Sequence, residues 1–357
     1  MPAPRRDLEL TQQQLREWLR GKLPGARDLT ITDLRGPSET GFSSDTLMFD
    51  AQWTDATGAH LEHMVARFKP SGFTVFPTYD IARQFHVMRI LGGHSDVPVP
   101  RMRWLEEDEA PLGASFYVMD RVDGRVPTDN PPYHIGGWLQ DLTPVEREAL
   151  WWSGLDAMTC VHRLDWRALG FAFLAQPARG ATALEQQLHE YDEYVRWGME
   201  RERYPLLARA EQWLHAHRPA DEPVAICWGD SRLGNQIFNG ITCAAVIDWE
   251  MARLGDPVQD LAWWIALDRC FSEGLGVERL AGLPSRDTTI ARWETLVGRP
   301  ARHFDYYEIL ALYKFTAIMA RVSLQLMHYE FLPGDSNMDS DNLASQTLAR
   351  ALDAIGA

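Results

Sequence analysis

Apolar positions in the first third of the chain recur with two periods. Leu29 to Leu34 alternates, as a half-buried strand does. Thr46 to Trp53 and Leu61 to Phe68 flank Thr54-Asp55-Ala56-Thr57-Gly58, which predicts two strands joined by a hairpin turn. Thr11-Gln12-Gln13-Gln14 has the form of a capping box, with Leu15, Trp18 and Leu19 following at helical spacing. A second helix is predicted over Tyr79 to Leu91, where Ile81, Phe85, Met88 and Leu91 share a face. Strands are expected around Met102 to Leu105 and Ser115 to Met119, completing a small mixed lobe.

Beyond Gly124 the pattern becomes helical. Thr143-Pro144-Val145-Glu146 places an N-cap, a proline at the first helical position and a glutamate three residues on, so a long helix through His162 should follow. Further helices fit Leu184 to Trp197, Leu206 to His217, Pro257 to Leu267, Thr288 to Leu296 and Tyr306 to Met327. Two short strands, Val224 to Cys227 and Ala244 to Ile247, interrupt them. The expected class is α+β, with a β-rich lobe over residues 1–121 and a mainly helical lobe over residues 122–357.

Composition narrows the function. The formal net charge is −15, whereas a phosphate backbone requires a basic face, so no nucleic-acid partner is expected. Cys160, Cys227, Cys243 and Cys270 form no Cys-x-x-Cys pair, which disfavours a zinc ribbon and suits reduced thiols in a cytoplasmic protein. The polar stretch Met1 to Leu10 lacks the apolar segment of a signal peptide, and no run of about 18 apolar residues predicts a membrane span.

Chemistry concentrates in Cys227-Trp228-Gly229-Asp230-Ser231-Arg232-Leu233-Gly234-Asn235, followed by Val246-Ile247-Asp248-Trp249-Glu250. Phosphoryl transfer needs a carboxylate at the accepting hydroxyl and oxygen ligands for magnesium. Asp230 and Asn235 lie five apart after a strand, and an Asn239-Gly240 turn would bring Asn235 and Asp248 near one metal. Arg232 is a cation within the same loop. No Gly-x-x-x-x-Gly-Lys-Ser/Thr loop is present, which disfavours a Walker-type ATPase.

The Gly229 to Asn235 loop, with Ile247-Asp248-Trp249-Glu250 and Leu254-Gly255-Asp256-Pro257-Val258-Gln259-Asp260-Leu261-Ala262, resembles the aminoglycoside phosphotransferase family. Within it, the sequence is most similar to the subgroup associated with acyl-CoA dehydrogenases. The resemblance implies a two-lobed protein-kinase-like fold using ATP and Mg2+. It also implies Asp230 as base, Arg232 as phosphate contact, and Asn235 and Asp248 as metal ligands. Ser43 and Ser44 fall in a Ser/Thr-rich turn similar to the family's phosphate-covering loop. Arg67 takes the strand position of the phosphate-binding lysine, Gln84 that of its helix partner, and the backbones of Asp120 and Val122 would hold adenine. Two positions depart from the family pattern: Gln84, where a glutamate is expected, and Trp228, where a histidine is.

Simpler readings attach to the remaining candidates. Asp256 and Asp260 read as helix-start residues, His162 as a satisfied core histidine, and the Trp151-Trp152 and Trp263-Trp264 pairs as core or pocket wall. His60 and His63 would point to opposite faces of one strand and form no metal site. The expected function is transfer of the ATP γ-phosphate to a hydroxyl of a small molecule, with a hydroxyacyl compound as the favoured acceptor. The alternatives are an antibiotic kinase of the aminoglycoside type and a nucleotide-binding pseudokinase.

Overall fold

A computed structural model describes residues 6–36 and 45–357. Helix α1 (Leu8–Lys22) precedes β1 (Arg27–Arg35), β2 (Asp45–Asp55) and β3 (Gly58–Phe68). Then come α2 (Ile81–His94), β4 (Met102–Glu106) and β5 (Phe116–Asp120). The five strands form one antiparallel sheet in the order β1-β2-β3-β5-β4. The β2–β3 turn is tighter than predicted, because Asp55 pairs with Gly58 and the Asp55 carboxylate accepts the Thr57 amide and hydroxyl.

Helix α1 starts earlier than predicted. Asp7 is the N-cap, accepting from the Glu9 and Leu10 amides, while Thr11 lies inside the helix and donates its hydroxyl to the Asp7 carbonyl. Leu15, Trp18 and Leu19 of this helix cover one face of the sheet, against Phe49, Trp53 and Phe116 among others. Phe85, Met88 and Leu91 of α2, with Tyr117, belong to a second and larger core continuous with the helical half. Strand β3 is thereby covered on both faces, and Met64 to Phe68 are all buried. A cation at position 67 must therefore find partners inside the protein.

The second half contains α3 (Pro144–His162), α4 (Ala183–Gly198), α5 (Pro205–Ala216) and a β insertion. The insertion holds β6 (Ala225–Cys227), β7 (Gln236–Asn239), β8 (Thr242–Val246) and β9 (Arg253–Gly255). β6 pairs with β9 and β7 with β8, both antiparallel. Helices α6 (Val258–Phe271), α7 (Arg286–Val297), α8 (Phe304–His328) and α9 (Leu343–Ala354) complete the chain. The predicted capping box at Thr143 and Glu146 forms. β9 and α9 were absent from the sequence expectation; β9 is only three residues long, below what periodicity resolves.

Every residue of α6 except Arg269 is buried, so this helix is the central post on which the loops rest. α8 packs against it, and by length and composition alone α8 is apolar enough to cross a membrane. Two-thirds of that apolar stretch is buried inside the protein (67%), as expected of a core helix. The four cysteines are unpaired.

Candidate active site

The loop between β6 and β7 is held from below by α6. Gly229 has φ +95°, and a Cβ there would overlap the Met251 carbonyl, so only glycine fits. The Asp260 carboxylate accepts the Trp228 amide at 2.6 Å and the Gly229 amide at 3.0 Å, and the Ser231 hydroxyl donates to the Asp260 carbonyl at 2.7 Å. His162 braces Asp260. The Trp293 indole can only donate, so at 3.0 Å His162 Nδ1 accepts from it, and His162 Nε2 carries the proton given to Asp260 at 3.0 Å. The helix-start reading of Asp260 is thus too small: its carboxylate shapes the loop. Asp256 does accept the Val258 amide at the start of α6.

Asp230 is gripped by three donors. Trp263 Nε1 gives to Oδ1 at 2.8 Å, Asn235 Nδ2 to Oδ2 at 2.7 Å, and Arg232 Nε lies 3.1 Å from both oxygens. Trp263 therefore does more than line a wall, since its indole fixes the orientation of the carboxylate. Asn235 Nδ2 also donates to the Asp230 carbonyl at 3.0 Å. Both partners are acceptors, which sets the amide orientation and turns Asn235 Oδ1 away as an available oxygen. Arg232 is engaged by its own neighbours, bridging from Asp230 to Asp129, which the sequence reading did not single out. Burial alone would lower the Arg232 pKa, but the charges of Asp129 and Asp230 outweigh it and raise it. A Cβ on Gly234 would collide with both Arg232 and Asp129, which accounts for the glycine there.

Asp248 follows β8 with φ +60°, a left-handed conformation that Asp tolerates better than most residues and that recurs at functional sites. Its Oδ1 accepts from Arg67 Nη2 at 2.9 Å, and Glu250 Oε2 lies 3.4 Å from the same nitrogen. Burial would lower the Arg67 pKa, but Asp248, Tyr117 and Glu250 raise it further. The expected Arg67–Gln84 pair is corrected: buried Gln84 accepts from the Tyr117 hydroxyl at 3.5 Å, and Tyr117 sits opposite Arg67 on the neighbouring strand. Arg67 takes its carboxylates from the Asp248 loop instead. Trp228, the other departure, ties the two loops together, since its indole N–H lies 2.9 Å from the Ile247 carbonyl and 3.2 Å from that of Asp248. The Ile247 amide in turn donates to the Asn235 carbonyl at 3.0 Å, joining the candidate metal ligands through adjacent backbone.

At the end of β5, the Asp120 amide donates to the Arg101 carbonyl at 2.9 Å, so what Asp120 can still offer adenine is its carbonyl. Val122 lies just past the strand end. Ser43 and Ser44 lie outside the described residues. A cleft of about 760 Å³ adjoins the site, with Glu250 and Met251 on its wall beside Tyr79 and Tyr191. Burial raises the phenol pKa of both tyrosines; the charges of Glu250 and Asp248 add to this at Tyr79, and that of Asp230 adds to it at Tyr191.

The family profile described as a phosphotransferase enzyme family matches residues 47–294, and the chain belongs to that family. It is a phosphotransferase with a kinase-like fold. Acyl-CoA dehydrogenase family member 10 of Mus musculus is 29% identical over 264 residues, covering 72% of this chain and 22% of that protein. The chain spans between about a fifth and a third of the length of the curated relatives it matches. Among solved structures, a Ralstonia eutropha protein provisionally called an aminoglycoside phosphotransferase superposes with a TM-score of 0.70 at 24% identity, covering 96% of this chain and 98% of that one. The aminoglycoside phosphotransferase APH(4)-Ia, in a mutant bound to AMP-PNP and hygromycin B, gives a TM-score of 0.54 at 17% identity, covering 96% and 97%.

Proposed function

We propose that the chain transfers the γ-phosphoryl group of ATP to a hydroxyl of a small molecule, with Asp230 receiving the hydroxyl proton. The observation that carries this reading is the convergence of a triply held Asp230, an Asn235 with its Oδ1 turned outward, and an Asp248 held by a buried Arg67. The nucleotide-bound structural neighbour supports ATP as donor. Asn235 Oδ1 and the Asp248 carboxylate are hard oxygen donors of the kind magnesium prefers, and they are the residues that would hold it. When bound, magnesium supplies positive charge for the β- and γ-phosphates. Arg67 adds a fixed cation on the same side, and Arg232 stands next to Asp230 where it could exchange Asp129 for a phosphate oxygen. In this reading residues 1–121 hold the nucleotide and residues 122–357 carry the base and the acceptor site.

A hydroxyacyl compound is the proposed acceptor. The acyl-CoA dehydrogenase name of the curated relatives supports an acyl body, although the match covers only a minor part of each. The test is incubation with magnesium and ATP against hydroxyacyl thioesters, their free acids and a set of aminoglycosides, with Asp230→Asn as control. Turnover is expected only with the acyl panel and should fall roughly 10²–10⁴-fold in the variant. Phosphorylation of aminoglycosides alone would overturn the acceptor, and equal turnover in Asp230→Asn would overturn the base.

A further inference from the structure

The cleft beside the reaction centre is built around arginine. Arg83 stands in the first turn of α2, Arg179 just before α4, and Arg253 at the start of β9, and all three line it. Glu190 is shared by two of them, lying 2.9 Å from Arg253 Nη2 and 3.7 Å from Arg179 Nη1. Arg179 also reaches Glu193 at 2.8 Å. Arg83 has no carboxylate partner among the described residues. It donates through Nη2 to the Ala252 carbonyl, and its Nε is buried with no acceptor, as is the Nε of Arg253. Burial pulls the Arg83 pKa down, and the charge of Arg253 pulls it down further.

Beneath this group lies Lys314 of α8, only 2% exposed. Its ammonium is 4.7 Å from the Trp263 ring centre and 5.4 Å from that of Tyr191, and no carboxylate among the described residues forms an ion pair with it. Six acids also line the cleft, Asp80, Glu107, Glu109, Glu190, Glu193 and Glu250, and most of them are engaged by protein groups. Asp80 caps α2, Glu250 faces Arg67, and Glu109 lies 3.9 Å from Lys69. Guanidinium groups that line a cleft are fork-shaped donors suited to the oxygens of a carboxylate or phosphate.

We infer that the acceptor carries an anionic group, a carboxylate or a phosphate, which Arg83 holds with Arg179 and Arg253 while the hydroxyl faces Asp230. The role of this anion as part of the acceptor rests on the proposed phosphotransfer, whereas the anion site itself requires no nucleotide.

The probes are 3-hydroxybutyrate for a carboxylate, glycerol 3-phosphate for a phosphate and neutral 1,3-butanediol, measured by calorimetry at equal ionic strength without nucleotide. The protein is expected to bind at least one anion and to bind the diol at least about tenfold more weakly. Which anion binds separates carboxylate from phosphate. Arg83→Gln should weaken that anion roughly ten- to hundredfold. Arg179→Gln, at a side chain that is 32% exposed, should weaken it in the same direction and serves if Arg83→Gln fails to fold. The inference is overturned if neither anion binds, if the diol binds as tightly, or if the folded variants keep the parent Kd. It is overturned equally if the variants lose ATP affinity to the same extent, because the arginines would then serve the nucleotide. If an anion binds through Arg83 but no bound acid is phosphorylated, the anion site stands and its role in holding the acceptor is overturned, while Asp230→Asn tests the base separately.

Discussion

Replacing Lys314 with methionine should stabilise the protein, by an amount that depends on pH in a defined direction. Burial is the main cause that pulls the Lys314 pKa down from its ordinary 10.5 to about 7. Arg253 on β9 adds to that, while Asp260 on α6, Glu190 on α4 and Cys227 on β6 oppose it. A displacement of this size corresponds to about 5 kcal/mol of cost for protonating the folded state. Contact with the Trp263 and Tyr191 rings returns about 1–2 kcal/mol of that. Methionine is unbranched, apolar and adaptable in cores, so Lys314→Met should gain about 2–4 kcal/mol at pH 7. Above pH 10.5 the lysine is neutral in both states and costs nothing through ionisation. As pH falls from 10.5 to about 7 the unfolded chain takes up a proton that the folded one resists, and the penalty grows. Below about 7 both states are protonated and the penalty is constant. Urea denaturation of both proteins at intervals from pH 6 to 10 measures this. A variant less stable than the parent at pH 7, or a gain that does not shrink from pH 7 to pH 10, refutes the reasoning.

Asp248→Asn keeps a residue that tolerates φ +60° but removes the charge, so ATP with magnesium should no longer raise the melting temperature as it does for the parent; equal protection would remove Asp248 from the metal site. Gln84→Glu buries an additional carboxylate at a position 2% exposed and should cost about 1–3 kcal/mol in denaturant titrations without raising turnover. A strong gain in turnover would mean that Arg67 lacks the partner the structure gives it. Gly229→Ala must displace the Met251 carbonyl and should cost more than about 3 kcal/mol or prevent folding. Gly240→Ala, at a positive φ but in open space, should cost only about 1 kcal/mol, so similar losses at the two sites would contradict the close approach seen at Gly229.

What could be read from the chain was whatever is local. Helix starts such as Thr143-Pro144 and the alternation of β2 and β3 are written in neighbouring residues, and the structure reproduces them. The Asp230 to Asn235 spacing and the Asp248 run were equally visible, because one loop and one hairpin bring them together. Partners distant in sequence were not visible. Asp129 reaches Arg232 across 103 residues, Trp263 reaches Asp230 across 33, and Arg67 reaches Asp248 across 181. No periodicity encodes such pairs. An indole in the core has one donor to satisfy, so the core reading of Trp263 left a question that only the fold answers. The Gln84 expectation erred for the same reason: a strand cation was assigned the nearest helix residue, while the stronger partners lay in the other half of the chain.

Each of the two departures from the family pattern has a structural counterpart in the fold. A glutamine at position 84 would disable the centre if it left Arg67 unpaired in a covered strand. Asp248 and Glu250 supply the charge instead. Asp248 Oδ1 is thereby engaged by Arg67. If Asp248 holds a metal as proposed, Arg67 would need another anion, and a phosphate oxygen is one that the proposed reaction would supply. Such a replacement would keep the buried arginine compensated. Trp228 closes the argument from the other side. Its amide is fixed by Asp260 and its indole by the Ile247 carbonyl, so the residue before Gly229 locks the base loop to the metal loop. These contacts, with the close approach at Gly229, hold the two loops in register.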